Sequence, residues 1–299
     1  MRLHDILLAK AFGGGGGSGA IDLTGLTPSK NLKLSDLKSF AIVSEDATSI
    51  GDYAFENCTA LTSVDLPNAE SIGSYAFHGC TALASANLPN ATSVGDRAFS
   101  CCSSLTSVDL PVAESIGVQA FISCTALAGV NAPVATSIGR FSFYDCTNLT
   151  SVNLPSAESI GESAFDSCDR LTSVYLPNVK SIDVSAFRQC PALASVELPS
   201  VTSIVGNVFY GCTNLNALII SNEDAVCELN FTAIINTGIL TEEGAPTGTG
   251  FLHVPAKFYT NYLEMATMQA AYLLMSQGMG EAEAQATAAY IANIVVQTI

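Results

Sequence analysis

The sequence predicts a solenoid built from 22-residue coils, and three periodic columns carry that prediction. Phenylalanine recurs at Phe55, Phe77, Phe99, Phe121, Phe143, Phe165, Phe187 and Phe209, always 22 residues apart. Cysteine keeps the same step from Cys58 to Cys212, and leucine keeps it from Leu61 to Leu215. An unbroken period of about 20–30 residues with constant apolar positions marks stacked repeats, each touching only its neighbours. The expected architecture is therefore eight regular coils of strand and 3-10 turn, followed by a C-terminal helical cap or oligomerisation segment.

Within one coil, Leu61-Thr62-Ser63-Val64-Asp65-Leu66 ends in strand-type alternation, and Pro67 stops it. Proline stops the coil at the same place at 89, 111, 133, 155, 177 and 199. Ile72-Gly73 begins a second extended piece, where glycine is expected to permit a tight bend. Ala76-Phe77 and Cys80 have the spacing of one helical or 3-10 turn. One coil buries too few apolar side chains to offset the ordering of its backbone, so the stack must supply the rest.

The flanks read differently. Residues 1–12 form a short helical pattern with an apolar side, and Gly13 to Gly19 make a flexible tether or a linker scar. Leu3, Ile6, Leu7 and Phe12 are the expected anchor of this 1–19 segment in a larger assembly. Residues 20–45 read as an N-terminal cap with a degraded first coil: Ile42 falls 22 before Val64, and Ile50 falls 22 before Ile72. The regular array runs over 46–221. Residues 222–299 read as a C-terminal cap, loop-like at first and helical from 256, with a break at Gly278-Met279-Gly280. Its helices either close the open end or pair with a second chain, giving a homo-oligomer.

Composition narrows the function. The net charge is −16, from 27 acidic and 11 basic residues, without a Lys/Arg cluster. That argues against nucleic acid and against an anionic membrane surface. No apolar run of about 20 residues suggests membrane insertion. Asp5 and Lys10 interrupt the opening stretch, which is not read as a secretory signal. The columnar cysteines are expected to be buried, reduced fillers, because a stacked column offers no unique disulfide pairing. Three His and no C-x-x-C pair leave no zinc set, so no metal or cofactor is expected. Serine and cysteine recur as repeat positions, and no nucleophile–base, phosphate-loop or metalloprotease pattern accompanies them. The expectation is a protein that is not an enzyme.

Against this fixed scaffold a few positions vary. Two before each phenylalanine stand Tyr53, Tyr75, Arg97, Gln119, Phe141, Ser163, Ser185 and Asn207. One after it stand Glu56, His78, Ser100, Ile122, Tyr144, Asp166, Arg188 and Tyr210. Stacking turns each position into a stripe, and Tyr and Arg are enriched in interface hot spots. Tyr53, Tyr75, Arg97, Phe141, Tyr144, Arg188 and Tyr210 are thus the candidate partner-binding residues, and His78 is expected to be an ordinary surface residue. A second stripe, Asp65, Asn87, Asp109, Asn131, Asn153, Tyr175 and Glu197, reads as a solvated ladder.

The repeat Leu-x-x-Val-x-Leu-Pro-x-x-x-x-Ile-Gly-x-x-Ala-Phe-x-x-Cys closely resembles the BspA-type leucine-rich repeat family, also described from treponemal surface proteins. The resemblance covers residues 46–221 and implies a leucine-rich-repeat solenoid. Gly250-Phe251-Leu252-His253-Val254-Pro255-Ala256, followed by Tyr259 and Tyr262, resembles the family's terminal motif, and Ile294 to Ile299 its last turn. Roughly residues 265–290 then look like an insertion. The family implies a surface adhesin that binds host proteins or other cells. The opening Leu3 to Phe12 with its glycine run is similar to openings of phage and prophage structural proteins, which implies a virion-associated adhesion or receptor-binding component. Virion and bacterial cell surface are the two expected locations, and a protein or cell-surface receptor is the expected partner.

Overall fold

A computed structural model describes residues 40–43, 47–234, 237–240, 247, 250–276, 279–282, 284–286, 288–289 and 296–298. The anchor residues Leu3, Ile6, Leu7 and Phe12, and the cap up to residue 39, lie outside the described residues.

Each coil contributes two short parallel strands, one to each of two sides. Among the described residues one side carries a seven-stranded sheet, from Phe40–Val43 to Ser173–Tyr175. A four-stranded sheet follows it: Ser195–Leu198, Ala217–Ile220, Phe251–Val254 and Val296–Thr298. The second side carries nine two-residue strands, from Ser49–Ile50 to Glu228–Leu229. The register repeats the sequence period: Val64 faces Ala86, Asp65 faces Asn87, and Ile72 faces Val94. The degraded first coil keeps that register, with Ile42 opposite Val64 and Ile50 opposite Ile72.

Side chains alternate as a strand requires. Val64 and Leu66 point into the core, while Ser63 and Asp65 face outward. The core is a column of phenylalanines, each at most 1% exposed. Successive rings stack face to face, from 5.1 Å between Phe77 and Phe99 to 5.7 Å between Phe187 and Phe209. The cysteines line the core beside them, and their thiols are free and buried from Cys58 to Cys212, except exposed Cys101. From Phe55 to Phe143 each Phe carbonyl accepts two bonds. Phe77 O accepts the Cys80 N–H of its own coil at 3.1 Å. It also accepts the Cys102 thiol of the next coil at 3.2 Å. The same thiol bond recurs up to Cys212 and Phe187, at 3.0 Å. Burial pushes the Cys124 and Cys146 thiols well above the ordinary thiol range, so they are weak nucleophiles.

The third side has the expected three-residue spacing, with a further layer of order. Ala76, His78 and Cys80 donate their N–H groups three residues back, to Gly73, Tyr75 and Phe77. The residues between them, Tyr75, Phe77 and Gly79, donate instead to Asp96, Ala98 and Ser100 of the next coil. This alternation needs left-handed backbone on both sides of the phenylalanine. The residue two before it has φ between 51° and 60° in every coil, from Tyr53 to Asn207. The residue two after it has φ from 55° at Gln189 to 80° at Gly211. A left-handed non-glycine residue costs about 1–2 kcal/mol.

The Ile-Gly glycines serve a different purpose from the bend expected of them. None of Gly73, Gly95, Gly117, Gly139 and Gly161 has positive φ. Coils approach too closely for a side chain: a Cβ on Gly95 would lie 2.7 Å from the carbonyl carbon of Gly73. The column ends where Asp183 and Val205 follow Gly161.

Charge is also arranged by the stack. Asp65 alternates with Asn87, and Asp109 with Asn131; each amide donates to the preceding carboxylate, at 2.7 and 2.8 Å. On the other side Glu70 alternates with Thr92, and Glu114 with Thr136. Like charges directly opposite on neighbouring strands would repel, and this alternation keeps them apart.

At the C-terminal end a 3-10 turn, Ala256–Phe258, leads into the helix Tyr259–Ser276. Tyr262 and Ala266 join the core, while Met268 is 73% exposed. The buried Tyr262 hydroxyl accepts the Cys227 N–H at 2.8 Å, and burial raises its pKa to about 12. The chain does not stay helical to its end, because Val296–Thr298 pairs with Phe251–Val254 as a strand.

Two substitutions probe this packing. Ser142 takes the place that Ala76, Ala98 and Ala120 hold in other coils; it is 0% exposed and its hydroxyl has no partner. Ser142→Ala is expected to raise the unfolding free energy by about 1 kcal/mol in a denaturant titration. Gly95→Ala forces neighbouring backbones apart and is expected to lower it by about 1–3 kcal/mol.

Candidate partner-binding ridge

The left-handed turns lift the variable side chains onto one ridge along the third side. All seven candidates from the sequence stand on it. Tyr53 is 42% exposed, and Tyr75, Arg97, Phe141, Tyr144, Arg188 and Tyr210 are half-buried.

Their contacts run along the stack. Tyr53 stacks on Tyr75, ring centroids 4.9 Å apart, and His78 meets the Tyr75 ring edge-on at 5.6 Å. Arg97 donates from Nη1 to the Tyr75 hydroxyl at 2.6 Å and from Nε to Gln119 Oε1 at 2.5 Å. Tyr53, Tyr75, Arg97 and Gln119 form one row over four successive coils, each in contact with the next. Further along, Arg140 lies over the Phe141 ring at 4.7 Å and pairs with Glu162 at 2.9 Å. Tyr144 meets Phe141 edge-on at 5.6 Å. Arg188 sits between Asp166, at 3.4 Å, and the Tyr210 ring, at 5.8 Å.

The ridge is not uniformly exposed. Ser100 and Asp166 are 3% exposed and Ser163 is 5% exposed, although the sequence places them in variable stripes. At the 22-residue step Asp166 stands between the taller Tyr144 and Arg188, Ser163 next to Phe141, and Ser100 between His78 and Ile122. Burial raises the Asp166 carboxyl above the usual carboxylate range, while Ser167 and Arg188 oppose that shift. The left-handed backbone was the feature missed from sequence. Its signal was Asn57, Gly79, Asp145 and Gly211 two residues after the phenylalanine, types that tolerate positive φ.

The second stripe behaves as the ladder expected of it, through the Asn–Asp bonds. Elsewhere, a shallow depression of about 340 Å³ lies over Ser137, Ser159, Ser181, Asp183 and Val205, where the glycine column ends. Among the described residues no three His, Cys, Asp or Glu side chains are grouped to hold a metal ion. Among the same residues no helix is long and apolar enough to cross a membrane.

The sequence matches the family described as "BspA type Leucine rich repeat region (6 copies)" over residues 29–136 and again over 136–242. The chain belongs to the BspA-type leucine-rich repeat family. It is similar to a leucine-rich repeat protein of T. pallidum, with 30% identity over 52% of this chain and 79% of that chain, at a TM-score of 0.49. A leucine-rich repeat protein of Bacteroides ovatus is 26% identical and gives a TM-score of 0.54. That match spans 74% of this chain and 66% of that chain, just under two thirds of it. No curated protein matches the sequence.

The Asp166 geometry sets a pH dependence. A carboxyl whose pKa rises on folding stabilises the fold most at low pH and loses that contribution as pH rises through the carboxylate range. Asp166→Asn is therefore expected to melt at a higher temperature than the parent at pH 7. The difference should close on acidification, followed by calorimetry across the carboxylate range.

Proposed function

We propose that this chain is a non-enzymatic adhesion or receptor-binding protein whose ridge contacts a protein or a cell-surface receptor. One observation carries the reading: side chains of the core are nearly constant from coil to coil, while the ridge positions vary along the stack and gather Tyr and Arg. The repeat family is consistent with it, since solenoids use extended surfaces for binding. Two carriers fit. The opening residues, similar to phage structural proteins, favour a virion component held by its first 19 residues. Membership of the BspA-type repeat family favours a bacterial cell-surface adhesin.

Gold-labelled antibody against the chain, imaged on particles and cells from the source culture, separates the carriers. Label on capsids, tails or fibres supports the virion; label confined to cell envelopes supports the adhesin. On the carrier so identified, replacing Tyr144 and Tyr210 together with alanine is expected to lower attachment to target cells about tenfold. Asn153→Ala, on the sheet side, should leave attachment unchanged, and equal effects of the two would remove the ridge from the reading.

A further inference from the structure

Each coil contains its own control for what the ridge side chains are for. Two positions, one on each side of the phenylalanine, share the same left-handed backbone. At the position after it the chain uses mostly small or left-handed-tolerant residues, including Asn57, Gly79, Asp145 and Gly211. At the position before it, the first five coils use Tyr53, Tyr75, Arg97, Gln119 and Phe141, all with φ between 54° and 57°. Long and aromatic side chains are disfavoured at positive φ, and glycine, asparagine and aspartate are favoured. Free drift under this constraint would produce at both positions what is found after the phenylalanine. The large side chains are therefore kept for what they display.

Charge indicates what they face. Between residues 51 and 139 the only Lys or Arg is Arg97, which Tyr75 and Gln119 hold without a carboxylate. Asp52, Glu56, Glu70, Asp96, Asp109 and Glu114 lie in the same stretch. The later coils differ: Arg140–Glu162, Lys180–Glu158 and Arg188–Asp166 pair their charges internally. The first half of the array is thus left the more acidic, with seven acidic residues against one basic over 51–139, while over 140–221 four basic residues offset part of seven acidic ones. The Tyr53–Tyr75 stack stands in that acidic half, with Asp52 and Glu56 on either side of Tyr53 in the chain. An aromatic face beside carboxylates suits a lysine or arginine side chain, by cation–π attraction and by charge together.

We propose that the Tyr53–Tyr75 end of the ridge is the specificity-determining part of the binding surface and receives a basic segment of a protein partner. This rests on the ridge being the binding surface at all. Tyr53 would take a cationic side chain on its exposed ring, while Tyr75, stacked on Tyr53 and already lying under the guanidinium of Arg97 at 5.3 Å, would brace it. Asp52 and Glu56 would face the charges, and the acidic first half would steer the approach.

The test uses the full chain and two synthetic 12-residue peptides, one alternating Lys with Gly and one alternating Glu with Gly, in calorimetric titrations. The Lys peptide is expected to bind and the Glu peptide not. Tyr53→Asn with Tyr75→Asn leaves the net charge unchanged and places a residue that tolerates positive φ at both sites, so folding is favoured. It should weaken the Lys peptide at least tenfold. Tyr53→Phe, which keeps the ring, should stay within twofold of the parent, which guards against a mere folding defect. Asp109→Asn with Glu114→Gln removes two charges from the sheet sides and should also stay within twofold. Loss that follows net charge wherever it is removed, or tighter binding of the Glu peptide, overturns the proposal. Loss of cell attachment by the Tyr53/Tyr75 variant without loss of Lys-peptide affinity overturns the basic partner and leaves the ridge standing. Unchanged attachment with lost peptide affinity removes the ridge as the adhesive surface.

Discussion

Ring-on-ring stacking of the phenylalanine column sets the pitch of this molecule, and nearly every other contact inherits it. A coil has no core of its own; the Phe99 ring is buried because Phe77 and Phe121 lie on its two faces. The 5.1 Å separation of these rings is close to the spacing of hydrogen-bonded strands, so one translation satisfies aromatic packing and both sheets. The phenylalanine carbonyl adds a second constraint. It takes an N–H from its own coil and a thiol from the next, which explains why a weak donor as small as cysteine occupies that column. A bulkier residue would part the coils, and an apolar one would leave the second lone pair unused.

The same pitch that builds the core also builds the ridge, at a local expense. Alternating intra-coil and inter-coil hydrogen bonds on the third side demand two left-handed residues per coil. Local conflict with backbone preference tends to mark positions kept for another purpose. Here the conflict is concentrated before the phenylalanine in the first five coils. The side chains placed there are braced: a tyrosine on a tyrosine, an arginine between a hydroxyl and an amide. Bracing removes rotamer freedom before any partner arrives, which lowers the entropy a partner must overcome.

Much of this was legible in the amino-acid sequence, because a strict period leaves few ways to arrange a chain. The coil length, the inward Val64 and Leu66, the buried cysteines and the common side of the seven ridge candidates all follow from spacing and alternation. What spacing could not convey was backbone handedness and depth. Tyrosine and arginine carry no sign of positive φ, so the constraint showed instead at Asn57, Gly79, Asp145 and Gly211. Asp166 and Ser163 looked exposed because they vary, yet side-chain height in adjoining coils decides burial. The Ile-Gly glycines looked like bends, and close approach of two backbones is what excludes a Cβ there. The final strand, Val296–Thr298, followed a helical stretch and was set by pairing with a segment far away in sequence.

The alternation of acids with neutral residues bears on how such an array can change length. Asp65 and Asp109 are separated by Asn87, and Glu70 and Glu114 by Thr92. Excising the coil from 83 to 104 would bring both pairs of carboxylates into direct apposition on adjacent strands. Excising or copying two coils together would preserve every neighbour relation in both ladders. In the first half of the array a 44-residue doublet, twice the structural period, is therefore the unit that can be lost or copied without altering either ladder. Single-coil changes carry an electrostatic cost there when they remove a neutral coil or copy an acid-bearing one, and none when they remove an acid-bearing coil.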